Sequence, residues 1–142
     1  MNDDRLLHAA LQDAADTRQV VIGSGALASA AHLNPIEPFI FPGQPQLHAD
    51  YEHVLELEAA LRQHDALPVV VGSGTLNDLT KLAAHRCERP CLIVASAASM
   101  DGCTAFGAAI MRVGFKQTLA CSAPRAVVAD VEVLIEAPAR MC

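Results

Sequence analysis

Tryptophan is absent from this chain, and aromatic residues make up only 4% of it. Packing therefore falls to Ala, Val and Leu, within an apolar fraction of 52%, as is common where helices cover a sheet. Basic residues are also scarce. Ten Lys and Arg face sixteen Asp and Glu, for a net charge of −6, and no stretch gathers the cations into a patch, which excludes a nucleic-acid partner. No apolar run approaches the ~20 residues of a membrane span. The start, Met1-Asn2-Asp3-Asp4, is acidic, unlike a signal or transit peptide. Five cysteines (Cys87, Cys91, Cys103, Cys121, Cys142) are an odd number and form no Cys-x-x-Cys, so they are expected as reduced thiols of a cytoplasmic protein. Cys87 and Cys91 are four apart, but the turn Glu88-Arg89-Pro90 separates them, so a metal pair is not expected there. The six histidines form no His-x-x-x-His or His-Glu-x-x-His pair. No nucleophile–base constellation stands out, and no catalytic or metal-binding residue is assigned.

What is present is one organising stretch, Pro68 to Lys81. Val69-Val70-Val71 suits a central parallel strand covered on both faces. Gly72 and Gly74 bracket a tight turn. Thr75 is placed as a helix N-cap, with Asp78 at capping-box spacing. A helix start with bare N–H groups behind small residues binds anions well, and a nucleotide phosphate or pyrophosphate is the expected one. The pattern lacks the third glycine of a Rossmann fingerprint, because Asn77 stands there, and Lys81 comes too late for a P-loop. By pattern alone, a plain strand-to-helix turn remains equally open.

At 142 residues the chain suits one domain with a real core. An amphipathic helix is expected over 4–16, a strand at Val20–Ile22 ending in Gly23-Ser24-Gly25, and a short helix over 26–32. Phe39–Phe41, between Pro38 and Pro42, reads as an edge strand. Val54, Leu57 and Leu61 share one face of a helix over 50–62. The helix after Gly74 runs to about Arg86, and Pro90–Ala95 is the next buried parallel strand, completing a βαβ crossover. Ala108–Val113 and Gln117–Cys121 could pair as a hairpin. Ala126–Asp130 is another strand, and a helix opens at Leu134. The expected fold is an α/β Rossmann-like parallel sheet with flanking helices, plus a small β-hairpin. The loop Ser96–Ala105, at the carboxyl end of a strand beside the glycine turn, is where open α/β sheets bind ligands. Asp101 is its one charged residue, serving either a ligand or an Asx-turn.

Three blocks carry a family resemblance: Gly72–Lys81, Ala95–Gly102 (with Ser99-Met100-Asp101-Gly102) and Ala123–Asp130. In order and spacing they resemble the glycerol-1-phosphate dehydrogenase branch of the iron-containing alcohol dehydrogenase, glycerol dehydrogenase and dehydroquinate synthase group, over most of residues 18–142. The resemblance implies an NAD- or NADP-dependent oxidoreductase that interconverts glycerol 1-phosphate and dihydroxyacetone phosphate, with a divalent metal, usually zinc, polarising the reacting oxygen. It implies that Gly72, Ser73, Gly74, Thr75, Leu76, Asn77 and Asp78 contact the dinucleotide. Ser96, Ala97, Ala98 and Ser99 would form the cofactor's other wall, and Asp101 would touch the substrate. Position 105, usually a serine, is Ala105 here. The family's metal ligands lie in a helical domain beyond this chain's last residue, and a strand–helix unit after Leu27 is missing. Residues 1–142 are thus expected as a shortened dinucleotide-binding domain, inactive alone unless a metal-bearing partner completes it, and a homo-oligomer is left open. A non-catalytic nucleotide-binding or assembly module, and a glycerol dehydrogenase-like activity, are the alternatives.

Overall fold

The computed structural model describes residues 19–23, 38–42, 44–100 and 102–137. The helices expected over 4–16 and 26–32, the Ser24-Gly25 turn and Asp101 lie outside the described residues. A four-stranded parallel sheet runs in the order β1-β6-β3-β2, built from β1 (Gln19–Gly23), β2 (Val69–Gly72), β3 (Leu92–Ala95) and β6 (Ala126–Asp130). Its helices are α1 (Tyr51–Leu61), α2 (Gly74–Arg86) and a single turn, α3 (Val131–Ile135). The strands β4 (Ala108–Arg112) and β5 (Phe115–Leu119) form a separate antiparallel hairpin. The α/β architecture and the βαβ crossover through α2 are as the β-branched runs and helical spacing suggest.

The core has two parts, with α2 contributing to both. Val70, Ile93, Ala95, Val127 and Met100 pack together over the sheet, joined by Leu76 at the start of α2. Leu79, Leu82 and Ala83 turn instead toward Val54 of α1 and toward Ala108, Ile110 and Cys121 at the hairpin. Glu58 clamps the two long helices: Oε1 accepts from Arg62 Nη2 and Oε2 from Arg86 Nε, each at 2.7 Å. These two guanidinium donors hold the Glu58 carboxyl below its ordinary value. Cys91 is turned into the interior, where burial pushes its thiol up to about 11 and leaves it unreactive at neutral pH.

Several expectations are corrected. β2 is an edge strand of the described sheet, not a central one, and Val71 is 65% exposed. A run of three valines reports two apolar faces but not the strand's neighbours, which come from distant chain. Phe39–Phe41 forms no ladder. The flanking prolines lack donors, and the segment is held by its rings, with Phe41 edge-on to Phe39 at 5.1 Å and to His53 at 5.2 Å. β3 begins at Leu92, two residues after Pro90. The last helix starts at Val131, not Leu134, because the Asp130 carboxylate caps it, accepting from the Glu132 amide at 3.0 Å.

The hairpin turns on Val113-Gly114, not on 114–116. Both residues have positive φ, 53° and 78°, as a two-residue loop matched to strand twist demands. A β-branched residue is strained there, and Val113 is 87% exposed, so packing returns little. Val113→Asn is therefore expected to raise the unfolding free energy by about 1 kcal/mol, read from denaturant midpoints at unchanged slope.

Candidate functional site

The parallel register brings the two sequence blocks together. Gly72 pairs with Ala95, and Ala95 with Ala129. The chain therefore leaves neighbouring strands at one level, into Ser73-Gly74 from β2 and into Ser96–Ser99 from β3. This is the carboxyl edge of the sheet, where open α/β folds take ligands. Gly72 suits the turn through its φ of 158°, which L side chains rarely adopt, while a Cβ there would meet only the movable tip of the Leu76 side chain.

The helix start differs from expectation in one detail. The N-cap is Ser73, not Thr75, and it makes no side-chain cap hydrogen bond. The first helical bond runs from the Asn77 amide to the Ser73 carbonyl at 3.0 Å, so the amides of Gly74, Thr75 and Leu76 precede the helical ladder. A Cβ built on Gly74 meets nothing within 4 Å. Among the described residues nothing crowds that side of the turn. Asn77 is 2% exposed, and its Oδ1 has no hydrogen-bond partner among the described residues. A buried, unmatched acceptor is costly by about 1–3 kcal/mol, which makes it a natural place for a ligand donor.

The second wall is mixed. Ser96 is half-buried, Ala98 and Ser99 are exposed, and Ala97 is packed in the core, backbone included, at 2% exposure. Ala105 is exposed and brings no hydroxyl. Leu76 likewise gives its side chain to the core. Asp78, one turn into α2, is 24% exposed and sits 3.4 Å from the Lys81 ammonium.

Lys81 is the residue the motif reading missed. Its side chain is 1% exposed, and its Nζ donates to the carbonyls of Gly107, Ala105 and Gly102 at 2.7, 3.2 and 3.3 Å. The available signal was a lysine among Leu79, Thr80, Leu82, Ala83 and Ala84, on a helix with little room for solvent, three residues after an acid. Elsewhere, a groove of about 320 Å³ lined by His85, Arg89, Ser122 and Arg125 opens toward the other end of α2, and His85 Nδ1 lies 3.1 Å from Ser122 Oγ within it. Among the described residues no three His, Cys, Asp or Glu side chains converge as a metal ion requires, and no described helix is long and apolar enough to cross a membrane.

In fold, the protein falls in the class of Rossmann-like α/β domains. A probable glycerol dehydrogenase from Sinorhizobium meliloti superposes with a TM-score of 0.65 at 22% identity, over 95% of this chain and 38% of that one. A 2-deoxy-scyllo-inosose synthase, solved with carbaglucose-6-phosphate, NAD+ and Co2+, superposes with a TM-score of 0.66 at 21% identity, over 95% of this chain and 43% of that one. The sequence profile of the iron-containing alcohol dehydrogenases matches residues 15–138, and the chain belongs to that family. Glycerol-1-phosphate dehydrogenase [NAD(P)+] of Halalkalibacterium halodurans is 34% identical over 99 residues, which are 70% of this chain and 25% of that protein. The chain thus spans about a quarter of the length of the curated relatives it matches.

Proposed function

We propose that residues 1–142 form the dinucleotide-binding part of an NAD(P)-dependent glycerol-1-phosphate dehydrogenase, acting between glycerol 1-phosphate and dihydroxyacetone phosphate. The observation that carries this reading is the open start of α2, held by the Gly72–Ala95 register beside Ser96–Ser99. The relatives bearing that name support the substrate and the cofactor.

The residues present fit a dinucleotide. The amides of Gly74, Thr75 and Leu76 bind its pyrophosphate, where the helix dipole also favours negative charge. Asn77 Oδ1 accepts from a cofactor donor. Ser96 to Ser99 close the opposite side, with Ser96, Ala98 and Ser99 open to the ligand and Ala97 packed behind them, while Gly72 and Ser73 shape the turn. Asp101 accepts a substrate hydroxyl, and Ala105 contributes backbone only. The bound nicotinamide supplies or receives the hydride. The described residues do not make a zinc site.

Calorimetric titration with NADH and NADPH tests the binding, and loss of NADH absorbance on adding dihydroxyacetone phosphate, with and without zinc, tests the chemistry. Saturable dinucleotide binding is expected from this chain, and reduction of the phosphate ester only when a metal-bearing partner completes it. Failure to bind either dinucleotide overturns the proposal. Zinc-dependent turnover by this chain alone overturns the reading that its metal ligands lie elsewhere. Binding without turnover even beside a metal-bearing partner assigns it to a non-catalytic nucleotide-binding module, and preference for the unphosphorylated ketone assigns it to a glycerol dehydrogenase-like activity.

A further inference from the structure

We infer that Lys81 is a positioning residue for this site: its ammonium fixes the loop from Gly102 to Gly107 against α2 and so sets the far wall of the cleft. The inference rests on the dinucleotide reading above. An ammonium has three protons, and here all three directions are taken by main-chain oxygens of one short loop, at 2.7, 3.2 and 3.3 Å. The counter-charge is Asp78 Oδ1 at 3.4 Å. Asp78 belongs to the first turns of α2, so the helix start and the loop share one ion pair, buried at Lys81 and half-buried at Asp78.

Stability alone does not explain such a residue. A buried ion pair is commonly matched by apolar side chains of similar volume. What apolar packing cannot supply is direction. Three carbonyls converging on a point 1% exposed to solvent leave the loop one height and one angle along the helix. That loop follows directly on Ser96–Met100 and continues into β4 at Ala108. Its placement therefore governs how far the Ser96–Ser99 wall stands from the amides of α2.

Lys81→Arg keeps the charge facing Asp78 but replaces a compact ammonium with a planar fork that spreads its donors and reaches further. Measured by calorimetry on the full chain, well below its melting midpoint, this variant is expected to lose NADH affinity about tenfold or more. Inorganic pyrophosphate, which needs only the α2 amides, should bind within about twofold of the original chain. A purely structural role would move both ligands together or neither, and either result overturns the inference. Should the variant not fold, hydrogen exchange on the unaltered protein decides: NADH should slow exchange over 102–107 as well as over 74–78. Protection confined to 74–78 overturns the role of Lys81. An unaltered chain that binds neither NADH nor pyrophosphate overturns the dinucleotide reading itself, and this inference with it.

Discussion

Gly74→Val is expected to weaken dinucleotide binding about thirtyfold or more while leaving the melting temperature nearly unchanged. The two halves of that expectation come from one geometric fact. A Cβ on Gly74 meets no atom of the described residues within 4 Å, so the valine side chain disturbs none of their packing. The first helical position also tolerates it, since valine is at least as good a helix former as glycine. Stability should therefore move by less than about 0.5 kcal/mol, as for a surface change. On the proposed dinucleotide reading, a pyrophosphate approaches the amides of Thr75 and Leu76 past this position. Two methyl groups there hold the anion beyond hydrogen-bond reach, and bonds to charged groups are worth about 1.5–3 kcal/mol each. Calorimetry with NADH, paired with a thermal melt, checks both halves. A variant that binds as well as the original chain would remove the helix start from the site.

Leu79→Ala is expected to cost about 3 kcal/mol of folding stability, read from urea unfolding. Leu79 is 0% exposed and lies where α2 meets Val54 of α1 and Ile110 of the hairpin. Truncation forfeits the transfer energy of the removed methyl groups and leaves a cavity. The neighbours cannot close it cheaply, because α1 is pinned to α2 by Glu58 and the hairpin by the bond from the Met111 amide to the Ala49 carbonyl at 2.7 Å. The loss should fall unevenly. The hairpin leans on this cluster and should exchange its amides faster than the parallel sheet, whose own core of Val70, Ile93 and Val127 does not include Leu79.

Local signals carried most of the fold. Val69–Gly72, Gly74–Arg86, Leu92–Ala95 and Ala126–Asp130 were legible because β-branched runs, glycine turns and helical spacing act within a few residues. The neighbours of β2 were not. Its edge position follows from pairings with chain more than twenty residues away, which three valines do not encode. The N-cap was misplaced by two residues, because Ser73 and Thr75 are equally good cap types and only the backbone decides between them. The turn at Val113-Gly114 was missed since valine is a poor residue for positive φ, and hairpin closure overrode that preference. In the site, the glycine turn and the Ser96–Ser99 loop were legible as separate blocks. Their closeness is a matter of register, and the buried ammonium that joins helix to loop was invisible because lysine ordinarily signals surface.

The grip of Lys81 on carbonyl oxygens, and not on side chains, has a consequence for how this protein can change. Thr104, Ala105 and Phe106 are exposed, and the tether beneath them is blind to their chemistry. Evolution or a designer can rewrite those three letters to admit a bulkier or more polar guest, with the scaffold underneath indifferent to the edit.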